Sequence, residues 1–267
     1  MHMAASPDIR DCYFATGGRP HAAGRPLAVL VHGAGMDHTA WALQSRWLAF
    51  HGWNVVALDL PGHGRSPGAP LESVDAMARA LLALIANLSA GAPTVLIGHS
   101  MGSLVALHAA ALAPAAVSRL VLIGTAAAMP VHPDLLAAAK ANDHAAIDMV
   151  NLWGHGFDAG LGGSRAPGVW MTGAGERILE RAAPGVLHND LAACNAYRDG
   201  LADAAKVSAP TLLICGERDQ MTPLKSAKAL GAAIAGSSLV AIPRAGHMLM
   251  SERPYEVVDA MAGFLRG

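Results

Sequence analysis

Short, nearly unbroken apolar runs recur at residues 27–32, 54–58, 94–98, 119–124, 211–216 and 238–243, each bounded by turn residues. Runs of this length that do not alternate with polar positions are the pattern of strands buried on both faces, as in a parallel sheet. Between them lie longer Ala- and Leu-rich segments at 41–51, 71–88, 101–113, 223–235 and 254–265, which predict helices. The alternation predicts an α/β fold: a mostly parallel central sheet with helices on both faces.

One connection is out of proportion. Residues 125–210 separate two strands yet far exceed a single crossover helix. An Ala-rich start, a Gly-rich centre at 154–175 accompanied by Trp153, Phe157 and Trp170, and a closing segment at 177–203 predict a helical cap insertion. Such a cap would lie over the carboxyl edge of the sheet, where open α/β sheets place their sites. The 267 residues then form one domain, with a core at about 1–124 and 211–267 and the cap at about 125–210.

Composition narrows the function classes. With 53% hydrophobic and 15% charged residues the chain is globular rather than disordered. The 19 Lys and Arg are balanced by 20 Asp and Glu, and no basic run is interleaved with aromatics, so no nucleic-acid partner is expected. Cys12, Cys194 and Cys215 are odd in number and far apart, without the close pairing of a zinc site or a redox dithiol. The most apolar stretch, 104–117, is interrupted by His108 and Pro114 and is too short to span a bilayer. Residues 1–11 lack the apolar centre of a secretory signal, so a cytoplasmic location is expected, as a monomer or homodimer.

The sharpest local signal is Gly98-His99-Ser100-Met101-Gly102, between a predicted strand and a predicted helix. A serine on so tight a turn needs small neighbours two positions away, and both are glycine. The turn lifts the hydroxyl clear of the sheet and leaves the Met101 N–H at a helix start, free to receive developing negative charge. A second donor must come from the loop after an earlier strand. His32-Gly33-Ala34-Gly35 offers Ala34, with Gly35 in reserve. His99 lies inside the turn and reads as structural.

A serine hydroxyl needs an imidazole to take its proton and a carboxylate to orient that imidazole. Of 13 histidines, His247 follows a predicted strand in Ala245-Gly246-His247, on a loop that its glycine allows to turn sharply. Gly216-Glu217-Arg218-Asp219 ends another strand and supplies Asp219, favoured over Glu217. The competing position, after 119–124, is Thr125-Ala126-Ala127-Ala128 and holds no carboxylate. The order Ser100, Asp219, His247 is that of one serine-hydrolase architecture among several.

Together with Asp59-Leu60-Pro61-Gly62-His63-Gly64-Arg65-Ser66, these motifs resemble the α/β-hydrolase family from about residue 27 to the end, particularly its small bacterial carboxylesterase and lactonase-like members with a helical cap. The resemblance implies the α/β-hydrolase fold and a serine hydrolase working through an acyl-enzyme without a cofactor. Asp59 and His63 look structural, since no further ligands at suitable spacing make them a metal pair. The stretch His188 to Tyr197 also resembles some of these hydrolases. Met36, Trp41, Met101, Trp153, Phe157, Trp170 and Met171 are candidates for an apolar pocket, with Gly35, Met36, Trp153 and Trp170 assigned to substrate binding. The expected substrate is a small to medium, mainly uncharged ester. Lactone opening and carbon–carbon bond hydrolysis use the same machinery, and a small-molecule receptor with an idle triad is the reading outside enzymes.

Overall fold

The computed structural model describes residues 11–266, so the reading of the first ten residues lies outside it. Seven strands form one sheet: β1 (Phe14–Ala15), β2 (Leu27–Val31), β3 (Asn54–Leu58), β4 (Thr94–His99), β5 (Arg119–Ile123), β6 (Thr211–Gly216) and β7 (Ser238–Ile242), in spatial order β1-β3-β2-β4-β5-β6-β7. All neighbours pair in parallel except β1, which runs antiparallel to β3. The order reverses between β2 and β4, so the loops leaving these two strands open a crevice at the carboxyl edge.

The unbroken apolar runs have the cause the sequence implied. Val29, Val31, Leu96, Leu120, Leu122 and Leu213 face one side of the sheet, packed under α2 (Val74–Leu88), α3 (Met101–Leu112) and α10 (Leu224–Ala233). The alternate residues Ala28, Leu30, Ile97, Val121, Ile123 and Ile214 face the other, under α1 (Ala42–Phe50) and α12 (Pro254–Arg266). Both faces are dry, which no alternating strand would permit. The exception is β7, whose Ser238 and Val240 are exposed because it closes the sheet's edge. Strand β1 carries no signal in the sequence: two half-buried residues pair with Leu58 and Ala57.

Between β5 and β6 the chain forms α4 (Pro133–Ala141), α5 (Ala145–Gly154), α6 (Phe157–Gly160), α7 (Met171–Glu180), α8 (Val186–Ala196) and α9 (Gly200–Ala204). Helices α4, α5, α7 and α8 share a third cluster, including Leu135, Val150, Leu179 and Leu191, that closes over Met36 and Met248 from the core. The end of the segment belongs with the core. Cys194, Tyr197, Ala204 and Val207 pack in the cluster beneath α3, and the Tyr197 hydroxyl donates to Asp203, which also pairs with His108 of α3 at 2.6 Å. The helix α11 (Leu249–Glu252) precedes α12. Among the described residues no helix is long and apolar enough to cross a membrane.

Burial on both faces makes a stability contrast measurable. Leu96→Ala, in the fully buried centre of β4, is expected to cost about 2–5 kcal/mol. Val240→Ala, on the exposed side of the edge strand, is expected to stay within about 0.5 kcal/mol. Urea unfolding midpoints compare the two.

Candidate active site

Strand β4 ends at His99, and α3 starts at Met101, so a single residue makes the whole reversal. That residue, Ser100, takes φ +52° and ψ −121°, a backbone conformation that L side chains rarely adopt. The flanking glycines are required by contact: a Cβ at Gly98 would lie 2.1 Å from Gly102 O, and one at Gly102 would lie 2.1 Å from Val31 O. The Ser100 N–H donates to Ile123 O at 3.0 Å, tying the turn to β5.

Asp219 sits on the turn after β6 and is 5% exposed. Its Oδ1 accepts the N–H groups of Met221 and Thr222 at 2.9 and 2.8 Å. Its Oδ2 accepts the Thr222 hydroxyl at 2.6 Å and His247 Nδ1 at 2.8 Å. Burial alone would raise the carboxyl's pKa, but the His247 imidazole and the hydrogen bonds from His247 and Thr222 outweigh it and hold Asp219 below its usual range. Thr222 was not singled out by sequence; a threonine three residues after the acid is its only linear trace.

With four donors converging on Asp219, Nδ1 of His247 carries the proton and Nε2 presents its lone pair in the neutral ring. Nε2 is buried and makes no hydrogen bond within the protein, so the Ser100 hydroxyl is not bonded to it. Such contacts are often long or misaligned without substrate and tighten when it binds. Both residues line one cavity of about 310 Å³.

The loop bearing His247 is held from three sides. Its own N–H and that of Met248 both donate to Gly154 O at the end of α5, at 2.8 and 2.9 Å. The buried Glu252 carboxylate accepts the N–H groups of Gly246 and Gly156, each at 3.0 Å from Oε2. From beneath, His99 Nε2 donates to His247 O at 3.0 Å. Burial, and then the nearby His247, push the His99 pKa down to about 3, so His99 is a neutral prop rather than a base.

The loop after β2 brings Gly33 against Ser100: a Cβ there would meet the Ser100 Cβ at 3.3 Å. Among the described residues the N–H groups of Ala34 and Met101 donate to no protein acceptor. The Gly35 N–H is committed elsewhere, to Asp190 Oδ2 at 2.8 Å. This removes Gly35 as a reserve donor, and Gly35 does not line the cavity either.

The cavity wall corrects other expectations. Met36 and Trp153 line it, with Met129, Val131, Leu135, Val150, Leu187 and Leu191, and among the described residues no Asp, Glu, Lys or Arg does. Trp170, assigned to the substrate, is 68% exposed and instead borders a second cavity with Met171. Phe157 is likewise 75% exposed. Their Gly-rich surroundings gave no periodicity from which to read a buried side. Trp41 is fully buried, its ring edge-on to His99, and the Met101 side chain is fully buried in the core.

Asp59 and His63 do not form a metal pair. Asp59 accepts the His38 and Arg65 N–H groups at 2.6 and 2.9 Å and His38 Nδ1 at 2.8 Å, whereas His63 pairs with Asp190. Donor atoms of Asp37, His38 and Asp59 lie within 4.8 Å of one another, but Asp37 is taken by Arg181 at 2.6 Å and Thr39.

Residues 28–260 match the model of the Alpha/beta hydrolase family. Over 255 residues the chain is 32% identical to the dihydrolipoyllysine-residue acetyltransferase component of the acetoin cleaving system of Pseudomonas putida, an alignment that covers 91% of this chain but only 64% of that protein. It is also 32% identical over 234 residues to the pimeloyl-[acyl-carrier protein] methyl ester esterase of Neisseria meningitidis serogroup C, covering 82% of this chain and 85% of that one. Among solved structures, the enol-lactonase of Burkholderia xenovorans LB400 superposes with TM-score 0.84 at 25% identity, covering 96% of each chain. A thermophilic esterase superposes with TM-score 0.76 at 30% identity, covering 92% of this chain and 91% of its own. The chain belongs to the alpha/beta hydrolase family.

Proposed function

We propose that this hydrolase cleaves carboxylic esters of small to medium, mainly uncharged substrates, with Ser100 as nucleophile, His247 as general base and Asp219 as its orienting acid. The observation that carries the reading is Ser100, strained at φ +52° in the wall of an apolar cavity that is also lined by His247, whose Nε2 is unpaired. Ser100 Oγ attacks the ester carbonyl carbon as Nε2 takes its proton. The tetrahedral oxyanion is met by the N–H groups of Ala34 and Met101, and the imidazolium returns the proton to the leaving alcohol. Water then repeats the cycle on the acyl-enzyme, releasing the acid and freeing Ser100. Asp219 stays ionised throughout.

The cavity argues for the substrate class. About 310 Å³ is at the small end for a ligand site, and its lining without a carboxylate, ammonium or guanidinium group favours an uncharged, apolar acyl group. Lactone opening is the second reading, favoured by the likeness to an enol-lactonase. The same attack on a ring ester leaves the alcohol tethered to the product. No such observation favours carbon–carbon bond hydrolysis or a receptor.

Met248 bears on chain length. It follows the base, is 6% exposed, and is the one residue lining both the catalytic cavity and a neighbouring cavity of about 240 Å³ bordered by α1 and α7. A methionine there is a flexible partition.

Ser100→Ala is expected to lower kcat on a nitrophenyl ester by about 10⁴–10⁶, and Asp219→Asn, by reversing the tautomer of His247, by about 10⁴. Near-full turnover by the serine variant would refute the reading. On a panel of increasing acyl length, Met248→Ala should move the optimum toward longer chains. A wild-type enzyme idle on every ester but active on lactones would select the second reading.

A further inference from the structure

Beyond the groups placed in the reaction above lies a second buried carboxylate–imidazole pair. Asp190, on α8, and His63, on the turn after β3, are 0% and 2% exposed, with His63 Nε2 at 2.7 Å from Asp190 Oδ2. The other ring nitrogen, Nδ1, lies 3.0 Å from Pro61 O, which can only accept. Asp190 also accepts: Oδ2 takes the Gly35 N–H at 2.8 Å, and Oδ1 takes Asn189 Nδ2 at 3.2 Å. Both nitrogens of His63 therefore donate, and the ring is an imidazolium buried against a carboxylate.

The neighbouring His32 has the opposite assignment. Its Nε2 accepts the Leu60 N–H at 3.2 Å while Nδ1 donates to Gly33 O at 2.9 Å, so this ring is neutral. Its centroid is 4.8 Å from that of His63. Burial, then the His63 charge, lower the His32 pKa to about 4, in agreement. For His63, burial works against the charge, but the hydrogen bond and the charge of Asp190 raise its pKa overall. The ionisable groups facing the pair are His32 at the end of β2, Asp59 after β3 and Cys194 one turn along α8, the last with its thiol pKa pushed up by burial and by Asp190.

We propose that Asp190 is a positioning residue for the oxyanion loop: from α8 it accepts the Gly35 N–H and pairs with the His63 imidazolium, holding Ala34 with its own N–H free at the cavity. Gly35 has φ +67°, and a Cβ on it would meet Leu187 Cδ1, also of α8, at 2.9 Å. The loop is thus pressed against α8 by shape and fixed there by charge. A neutral anchor would fix the backbone less firmly, since hydrogen bonds to an ionised acceptor are roughly twice as strong. The proposal rests on Ser100 being the nucleophile.

The linkage has a definite sign. With its pKa raised in the fold, the His63 contribution is full below its unfolded value of about 6.5 and is lost as pH rises through the folded value. Deprotonation leaves Asp190 buried without its counter-charge and loosens Gly35. The wild type should therefore lose kcat on the alkaline side, and His63→Gln, which does not titrate, should lack that decline.

The test measures the rate of Ser100 labelling by a fluorophosphonate, together with kcat, KM and thermal melting. Asp190→Ala is expected to slow labelling and kcat about ten- to a hundred-fold, part of the full cost of an oxyanion donor, with KM changed less than about three-fold. Asp190→Asn, which keeps an acceptor for Gly35 but not the charge, should fall between, and it serves as the test if the alanine variant does not fold. Cooperative folding with wild-type labelling in either variant overturns the proposal, as does a His63→Gln profile that keeps the alkaline decline. A wild type that labels beside an equally reactive Asp190→Ala brings down this proposal alone. A wild type that does not label brings down the reading of Ser100 and this proposal with it.

Discussion

Backbone closeness at one strand-to-helix turn governs the rest of the site. For Ser100 to stand clear of the sheet at φ +52°, β4 must turn into α3 with no residue but Ser100 between them, and α3 must then lie directly on β2. Gly102 would put a Cβ 2.1 Å from Val31 O, so helix and strand meet backbone to backbone. A conformation that costs about 1–3 kcal/mol persists only where surrounding packing over-determines it. Here that packing is a strand dry on both faces, bonded through Ser100 N–H to Ile123 O. The same closeness brings the loop after β2 within contact of the serine.

Electrostatics then assigns each histidine by what its nitrogens face. Four buried rings lie in this region, and hydrogen-bond chemistry gives each a different duty. His99 and His32 are neutral props, held so by burial; His63 meets an acceptor at each nitrogen, Pro61 O and Asp190; His247 faces a carboxylate on one side and nothing on the other. His99 Nδ1 also lacks a partner, but of these two rings only His247 has a carboxylate behind it. His155 Nε2 is likewise buried without a partner, and His99 Nδ1 lies 3.0 Å from where a Gly33 Cβ would be.

Much of this was legible because the relevant constraints are local. Gly98, Ser100 and Gly102 lie within five residues, and Asp219 and His247 each follow an apolar run that ends in a sharp turn. Each announces itself by a strand and a glycine. Partnerships across the chain have no such signal: Asp190 is 155 residues from Gly35 and 127 from His63, and Glu252 is 96 from Gly156. An aspartate inside an Ala-rich helix reads like any surface carboxylate until its neighbours in space are known. Trp170 and Phe157 failed for a related reason, since they lie in a Gly-rich stretch where spacing does not reveal which side is buried. For β1, two residues are too few to form a pattern.

The two carboxylates that sequence passed over change how the cap must be understood. Asp190 joins α8 to the oxyanion loop, while Gly154 O, at the end of α5, and Glu252 join the segment after α5 to the loop carrying His247. The inserted helices therefore hold one end of each of two loops beneath them: the loop after β2, which carries Ala34 and Gly35, and the loop that carries His247. A cap that only covered a finished site would need apolar contact and nothing more. This one completes the backbone hydrogen bonding of the loops beneath it, and a buried N–H deprived of its acceptor costs about 1–3 kcal/mol. Lifting α5 and α8 away would strand the N–H groups of Gly35, Gly156, His247 and Met248 together. The geometry around Ser100 is thus built jointly by sheet and insertion, and Val150, Trp153, Leu187 and Leu191, which line the cavity, stand on the same two helices that hold these loops.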